Sequence, residues 1–183
     1  MSKKDGETLL DEVNEPNWLE PKFNNIPDEL KAQPWGVWKA ESRLDKDGNR
    51  TGKWNKAPRN PLTGMKIGAN QPNKFGTFEE AKKAYQTGKY SGVGVLLTKC
   101  GITGIDIDDA AEVFDERPEV TDWVKKVLKA GALCEASPRQ NGLRVFVNGS
   151  LEGGGRKKDC LEIYDDGRFL TVTGHTIASK ESK

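Results

Sequence analysis

Histidine is almost absent from this sequence: His175 is the only one among 183 residues. A lone imidazole, with no serine and acid placed around it, offers no Ser-His-Asp arrangement. Cysteine is scarce as well. Cys100, Cys134 and Cys160 are odd in number, widely spaced and form no CxxC pair, which argues against a zinc site and still more against a disulfide framework. Free thiols fit a reducing cytoplasm, which is the expected location. No apolar run approaches the roughly 20 residues of a membrane span, and the opening MSKKDGETLLDEVNEP lacks the apolar stretch of a secretory signal. No membrane partner is therefore expected. Two nucleotide-binding signatures are missing too. The loop Gly153-Gly-Gly-Arg-Lys-Lys158 does not follow the order of a phosphate-binding P-loop, and Gly92 and Gly94 are joined by no third glycine of a dinucleotide fingerprint.

Charge is present in quantity but is unevenly placed. The net charge is only +1, yet residues 31–89 hold 13 basic residues against 5 acidic ones. Residues 102–122 reverse this with 8 acids against 1 base, and residues 125–180 are basic again, 10 against 6. Such blocks are commonly just solvated surface. An acidic patch between basic flanks is also what a protein needs to hold cations beside a polyanion.

The length suits one ordinary domain with tails. Residues 1–25 read as a flexible acidic tail, polar, interrupted by Pro16 and Pro21 and without a sustained period. Residues 26–176 read as the folded core and 177–183 as a C-terminal tail. Within the core, a short helix is expected at 26–30, a strand at 35–41, a turn at 45–50 and a short strand at 53–58. Thr77 and Glu80 make a capping-box pattern, and Gly88 closes the helix that follows. GVGVLLT (92–98) and ITGIDID (102–108) read as two strands joined by a tight turn, followed by a helix at 118–130. Strands are expected at 133–137, 143–147, 161–164 and 168–173, with a glycine- and lysine-rich loop at 149–159. Hairpin strands with inserted helices predict an α+β domain: a mainly antiparallel sheet, helices packed on one face and the other face open.

The sharpest chemical feature is Gly104-Ile-Asp-Ile-Asp-Asp109. Alternate residues of a strand share a face, so Asp106 and Asp108 point one way and Ile105 and Ile107 the other. The two carboxylates then lie roughly 7 Å apart along the strand, where a divalent cation would relieve their repulsion. An Asp-x-Asp pair is also common on solvated strand ends. Glu162, between Leu161 and Ile163, would share the open face with Tyr164 and supply a third carboxylate. Three converging acids suit one or two Mg²⁺ or Mn²⁺ ions and in-line attack on phosphorus.

Candidate phosphate binders surround these acids. The turn 135–144 offers Ser137, Arg139 and Arg144 as donors, and Gly142 permits close backbone approach. Arg168 opens the strand Arg-Phe-Leu-Thr-Val-Thr. His175, just beyond its end, is a candidate nucleotide contact, although a lone histidine is more often structural. Gly52-Lys-Trp-Asn-Lys-Ala-Pro-Arg59 sets Lys53, Lys56 and Arg59 beside Trp54, a mixture that suits a nucleotide or single strand but equally an amphipathic strand. Arg156, Lys157 and Lys158 read as a mobile basic loop that could touch template phosphates.

Taken together, the segments IPDELKAQPWGVWK, GKWNKAPRNPLTG, FGTFEEA, GVGVLLTKCGITGIDIDD, EASPRQNGLRVFV and LEIYDDGRFLTVTGH resemble, in order, the primase-polymerase domain of the archaeo-eukaryotic primase superfamily. The form resembled is the one at the N-terminus of phage and plasmid primase-helicases, and the segments cover about residues 26–175. The resemblance implies an RRM-like sheet core and a DNA-templated nucleotidyltransferase, a primase or DNA polymerase. It implies Asp106, Asp108 and Glu162 as metal-binding catalytic acids, with Ser137 and Arg144 holding the incoming NTP or dNTP. It further implies Arg168 on phosphate, and Lys53 and Lys56 near nucleotide or template. Single-stranded DNA and a helicase domain or protein are the implied partners; the basic residues Arg59 and Arg156–Lys158 are read, from their charge, as contacts to the DNA. Two departures stand out. The family's second motif presents histidine where this chain has Arg144, and glycine where it has Gln140. A core with an altered second motif could bind DNA or nucleotide without polymerising, and three acids with a metal could also cut phosphodiesters.

Overall fold

The computed structural model describes residues 15–177. Its strands are β1 (Trp35–Trp38), β2 (Glu41–Leu44), β3 (Arg50–Asn55), β4 (Pro58–Arg59), β5 (Gly92–Thr98), β6 (Ile102–Ile107), β7 (Leu133–Ala136), β8 (Leu143–Asn148), β9 (Arg156–Lys158), β10 (Leu161–Tyr164) and β11 (Asp166–Val172). Its helices are α1 (Asp28–Lys31), α2 (Phe78–Tyr85), α3 (Ala110–Glu116) and α4 (Pro118–Lys129). The fold is α+β, and the paired strands within the sheets are antiparallel. Among the described residues no helix is long and apolar enough to cross a membrane.

The strands form two main sheets rather than the expected single one. A four-stranded sheet runs β11-β5-β1-β4, a five-stranded sheet runs β7-β8-β6-β10-β9, and β2 and β3 make a separate ribbon. The reason lies in β5. Residues 92–97 are all buried, so this strand is covered on both faces and cannot leave one of them open. Trp35, Val37, Val93 and Val95 pack on Phe78 and Ala81 of α2, and the same cluster takes in Ile102 and Phe146 from the five-stranded sheet. Gly104 permits the crossing of the two sheets: a Cβ there would lie 2.3 Å from Leu170 Cδ1. A second cluster seats Val113 of α3 and Val120 and Val124 of α4 on Ile105, Ile107, Leu143 and Val145. The helices α3 and α4 therefore cover the isoleucine face of β6, and Asp106 is left on the opposite face.

Several elements differ from expectation for local reasons. The capping box at Thr77 forms as expected: Glu80 N donates to Thr77 Oγ1 at 3.3 Å, and Thr77 N donates to Glu80 Oε2 at 2.7 Å. The strand expected at 35–41 breaks after Trp38, and the chain leaves the sheet to enter the ribbon. The helix α3 has no sequence signal at its start, because Asp109 enters it at φ +49° without a side-chain cap. The loop expected at 149–159 contains β9, which pairs along β10. Arg-Lys-Lys lacks the β-branched residues that mark strands but suits an exposed sheet edge, where charge discourages further pairing.

Of the expected flexible tail, residues 1–14 lie outside the described residues, as do 178–183 of the C-terminal tail. Residues 15–25 run along the domain. Leu19 N donates to Pro138 O at 3.0 Å, and Lys22 N donates to Thr173 O at 2.8 Å. Gly174 accommodates this crossing: it has φ +65°, and a Cβ would sit 2.3 Å from Lys22 O.

Candidate functional site

The register of the five-stranded sheet builds a row of charged side chains across its strands. Glu135 on β7 stands opposite Arg144 on β8, Arg144 opposite Asp106 on β6, Asp106 opposite Glu162 on β10, and Glu162 opposite Lys157 on β9. Cross-strand partners share a face, so these five project together from the side away from α3 and α4. Two adjacent acids, Asp106 and Glu162, lie between cations. Directly opposed like charges destabilise a sheet unless a counter-charge reaches them.

Arg144 supplies part of that counter-charge. Its Nη2 donates to Asp106 Oδ2 at 3.2 Å, with side chains only 5% and 13% exposed. The pairing is incomplete on both sides: Asp106 Oδ1, Arg144 Nε and Arg144 Nη1 are buried without a protein partner. Glu162 is fully engaged, since Lys157 Nζ donates to its Oε1 and Arg168 Nη2 to its Oε2. The Arg168 guanidinium also lies over the Tyr164 ring, 4.7 Å from its centroid. Asp108, exposed in the turn just past β6, has its carboxyl pushed up by partial burial and by the Asp106 charge, against the pull of Arg144 and Lys56.

Lys56, in the link between β3 and β4, feels the charges of this group. Burial lowers its ammonium to about 8, Arg144 and Arg139 push the same way, and Asp106 and Asp108 oppose them. Glu135 is fully buried and accepts from Thr173 N at 2.9 Å and Gly174 N at 2.7 Å. Burial is the largest influence on its carboxyl and pushes it up to about 7, against these two N–H donors and Arg144.

The expected site residues thus fall into three groups. Asp106 pairs with Arg144, Asp108 and Lys56 lie within electrostatic reach of that pair, and Glu162 and Arg168 meet beside Asp106. Ser137 and His175 lie nearby but serve the framework. Ser137 Oγ accepts from Gly142 N at 3.0 Å, and His175 Nε2 bonds Glu20 O at 2.8 Å. Lys53 on the ribbon and Arg156 and Lys158 on β9 are exposed. Arg59, expected on DNA, is drawn instead into Glu41 Oε1 at 2.7 Å and Gly64 O at 2.9 Å. Among the described residues, no group of three His, Cys, Asp or Glu side chains is arranged to hold a metal ion. Asp106 and Glu162 share a face, but Asp108 lies in the turn past the end of β6, and Lys157 and Arg168 take both oxygens of Glu162.

Two participants carry little sequence signal. Glu135 has the alternation that would place it beside Arg144, but only the β7–β8 register reveals the pairing. The sequence marks Lys157 only as a basic loop residue, and the β9–β10 pairing makes it the partner of Glu162. The departure at Gln140 has a clear structural outcome. Gln140 keeps φ +65°, the left-handed conformation that glycine adopts freely, and its N donates to Ser137 O at 2.8 Å. Gln140→Gly is therefore expected to stabilise the domain by about 1 kcal/mol, by removing the strain of a Cβ in that region. Urea unfolding of both proteins checks this, and a loss of stability would show that the glutamine side chain contributes more than its backbone costs.

These features describe an α+β domain whose sheet presents acids and cations on one face. The chain is similar to the DNA primase-polymerase of Nitratiruptor phage NrS-1, at 30% identity over 156 residues, covering 80% of this chain and 20% of that protein. The relation to phage primase-polymerases is distant, at superfamily level, and the chain spans about a fifth of the length of that relative. No family model matches the chain.

Proposed function

We propose that this domain is a metal-dependent, DNA-templated nucleotidyltransferase of mobile-element replication, a primase or DNA polymerase core acting in the cytoplasm. The observation that carries this reading is the half-satisfied Asp106–Arg144 pair. An acid oxygen and two guanidinium nitrogens, all buried and unpartnered, sit side by side. Buried polar groups cost free energy unless partnered. A cation on Asp106 Oδ1 and a phosphate oxygen on Arg144 would satisfy both ends. The similarity to a phage primase-polymerase supports the same reading.

In this mechanism Asp106 and Asp108 would hold Mg²⁺ or Mn²⁺, with Glu162 as the third carboxylate were Lys157 and Arg168 to turn to phosphate. The ion would supply activation of a 3′-hydroxyl and charge neutralisation at the leaving pyrophosphate. Arg144 grips the triphosphate of an NTP or dNTP with its free nitrogens, and Arg168 and Lys56 add positive charge on either side. Ser137 keeps the second-motif turn closed around Gly142, and His175 holds the chain that crosses it. Single-stranded template would lie along Lys53, Arg156 and Lys158, and a helicase domain or protein would deliver it.

A non-polymerising nucleic-acid-binding module is the second reading, favoured by the engagement of Glu162 with Lys157 and Arg168. One experiment separates the readings: labelled nucleotide incorporation on single-stranded DNA, with and without primer, in Mg²⁺ and Mn²⁺. The expected result is metal-dependent extension that falls at least about a hundredfold in Asp106→Ala/Asp108→Ala, as loss of a catalytic metal site requires. DNA binding without extension would establish the binding module. Shortening of the DNA would make the domain a nuclease.

A further inference from the structure

We propose that Trp18 is a positioning residue that holds Lys56 at the acidic site, so that a segment preceding the motif-bearing core completes it. This rests on the nucleotidyltransferase reading above and deepens it.

Lys56 Nζ lies over the Trp18 ring, 5.5 Å from its centroid. The ammonium thus meets an indole face and also feels the charges of Asp106, Asp108 and Arg144. A lysine side chain is a long flexible stem with many rotamers, so it reaches one point reproducibly only when something fixes its head. An aromatic face does so by cation–π attraction, strongest for tryptophan. Trp18 is itself fixed. It meets the buried Trp38 edge-on at 5.3 Å and 85°, and Trp54 at 6.1 Å and 84°.

The segment carrying Trp18 is pinned to three parts of the proposed nucleotide site. Leu19 N donates to Pro138 O in the second-motif turn, His175 Nε2 bonds Glu20 O, and Lys22 N donates to Thr173 O beside the Glu135 carboxylate. Residues 15–22 therefore tie the turn, the end of β11 and Lys56 into one arrangement. The single histidine finds its use here, in holding this strap.

The test separates the ring face from simple packing by comparing Trp18→Phe with Trp18→Leu in the full chain. Phenylalanine keeps a π-face, whereas leucine fills space without one. The first readout is labelling of Lys56 by acetic anhydride, followed by mass spectrometry of its peptide. Labelling is expected to change roughly tenfold in Trp18→Leu and to stay within about twofold of wild type in Trp18→Phe. The second readout is steady-state incorporation. Trp18→Leu is expected to raise the nucleotide KM roughly tenfold with kcat within about twofold, and Trp18→Phe to restore it. Equal labelling in the two variants would overturn the positioning role, and an unchanged KM in Trp18→Leu would overturn its link to nucleotide binding. If wild type incorporates no nucleotide, the polymerase reading fails by itself. ATP binding by the same variants then decides the inference: tenfold weaker binding in Trp18→Leu alone supports it, and equal binding overturns it.

Discussion

Arg144→Ala is expected to cost about 3–5 kcal/mol of folding stability, the range seen when one member of a buried ion pair is removed. The guanidinium stands between Glu135, which is fully buried, and Asp106, whose side chain is 13% exposed. Alanine would leave two acids flanking a gap with no cation between them, and Glu162 next in the row. Part of the loss comes from desolvated charge rather than from a lost contact, so neutralising the neighbours should recover it. Adding Asp106→Asn to Arg144→Ala is expected to restore more than 1 kcal/mol, a coupling that a double-mutant cycle in guanidinium chloride reads directly. Arg144→Lys would keep the charge without the planar fork and should fall between the two. A loss below about 1 kcal/mol in Arg144→Ala would mean that the row is held by backbone pairing alone. The same variant bears on function: loss of triphosphate binding alongside lost stability follows if the free nitrogens are the phosphate grip.

Much of this row is legible in the sequence, because strand alternation is a local property. Ile105 and Ile107 on either side of Asp106 fix which way that acid points, and Leu161 and Ile163 do the same for Glu162. The α+β class and the antiparallel strands follow from hairpin spacing in the same way. What alternation cannot supply is register. That Glu162 stands opposite Asp106, and Arg144 between Asp106 and Glu135, depends on which strands neighbour one another across long stretches of chain. The division into two sheets was hidden for a related reason: a run such as GVGVLLT shows that a strand is buried, not what covers each face. The strap at 15–25 was missed because its anchors are single residues. Trp18 and Phe23 sit in a polar, proline-interrupted stretch without a period, and only the aromatic partners at Trp38, Trp54, Phe78 and Tyr85 show why it is held.

Glu135 should make the stability of this domain depend on pH in a direction opposite to that of a paired surface acid. Its carboxyl is pushed up to about 7 in the folded chain, from a reference of 4.5. Below the unfolded value both states carry the proton, and the group does not oppose folding. Between the two values the unfolded chain releases a proton that the folded chain retains, so stability falls as pH rises. Above 7 both are ionised, and the full cost of burying the charge, about 3 kcal/mol, is present. Surface acids such as Glu41, which Lys66 and Arg59 hold below its ordinary value, tilt the other way, so the wild-type profile alone cannot isolate Glu135. Glu135→Gln can. Its amide forfeits one of the bonds from Thr173 N or Gly174 N and therefore carries a fixed penalty of about 1–3 kcal/mol at every pH. The informative quantity is the difference in slope. Between pH 4.5 and 7.5, the stability of wild type relative to Glu135→Gln is expected to drop by about 3 kcal/mol, measured by urea unfolding at each pH. Parallel profiles would show that the two N–H donors and Arg144 keep the carboxylate ionised in spite of its burial. The row would then be charged from Glu135 to Lys157 throughout the neutral range.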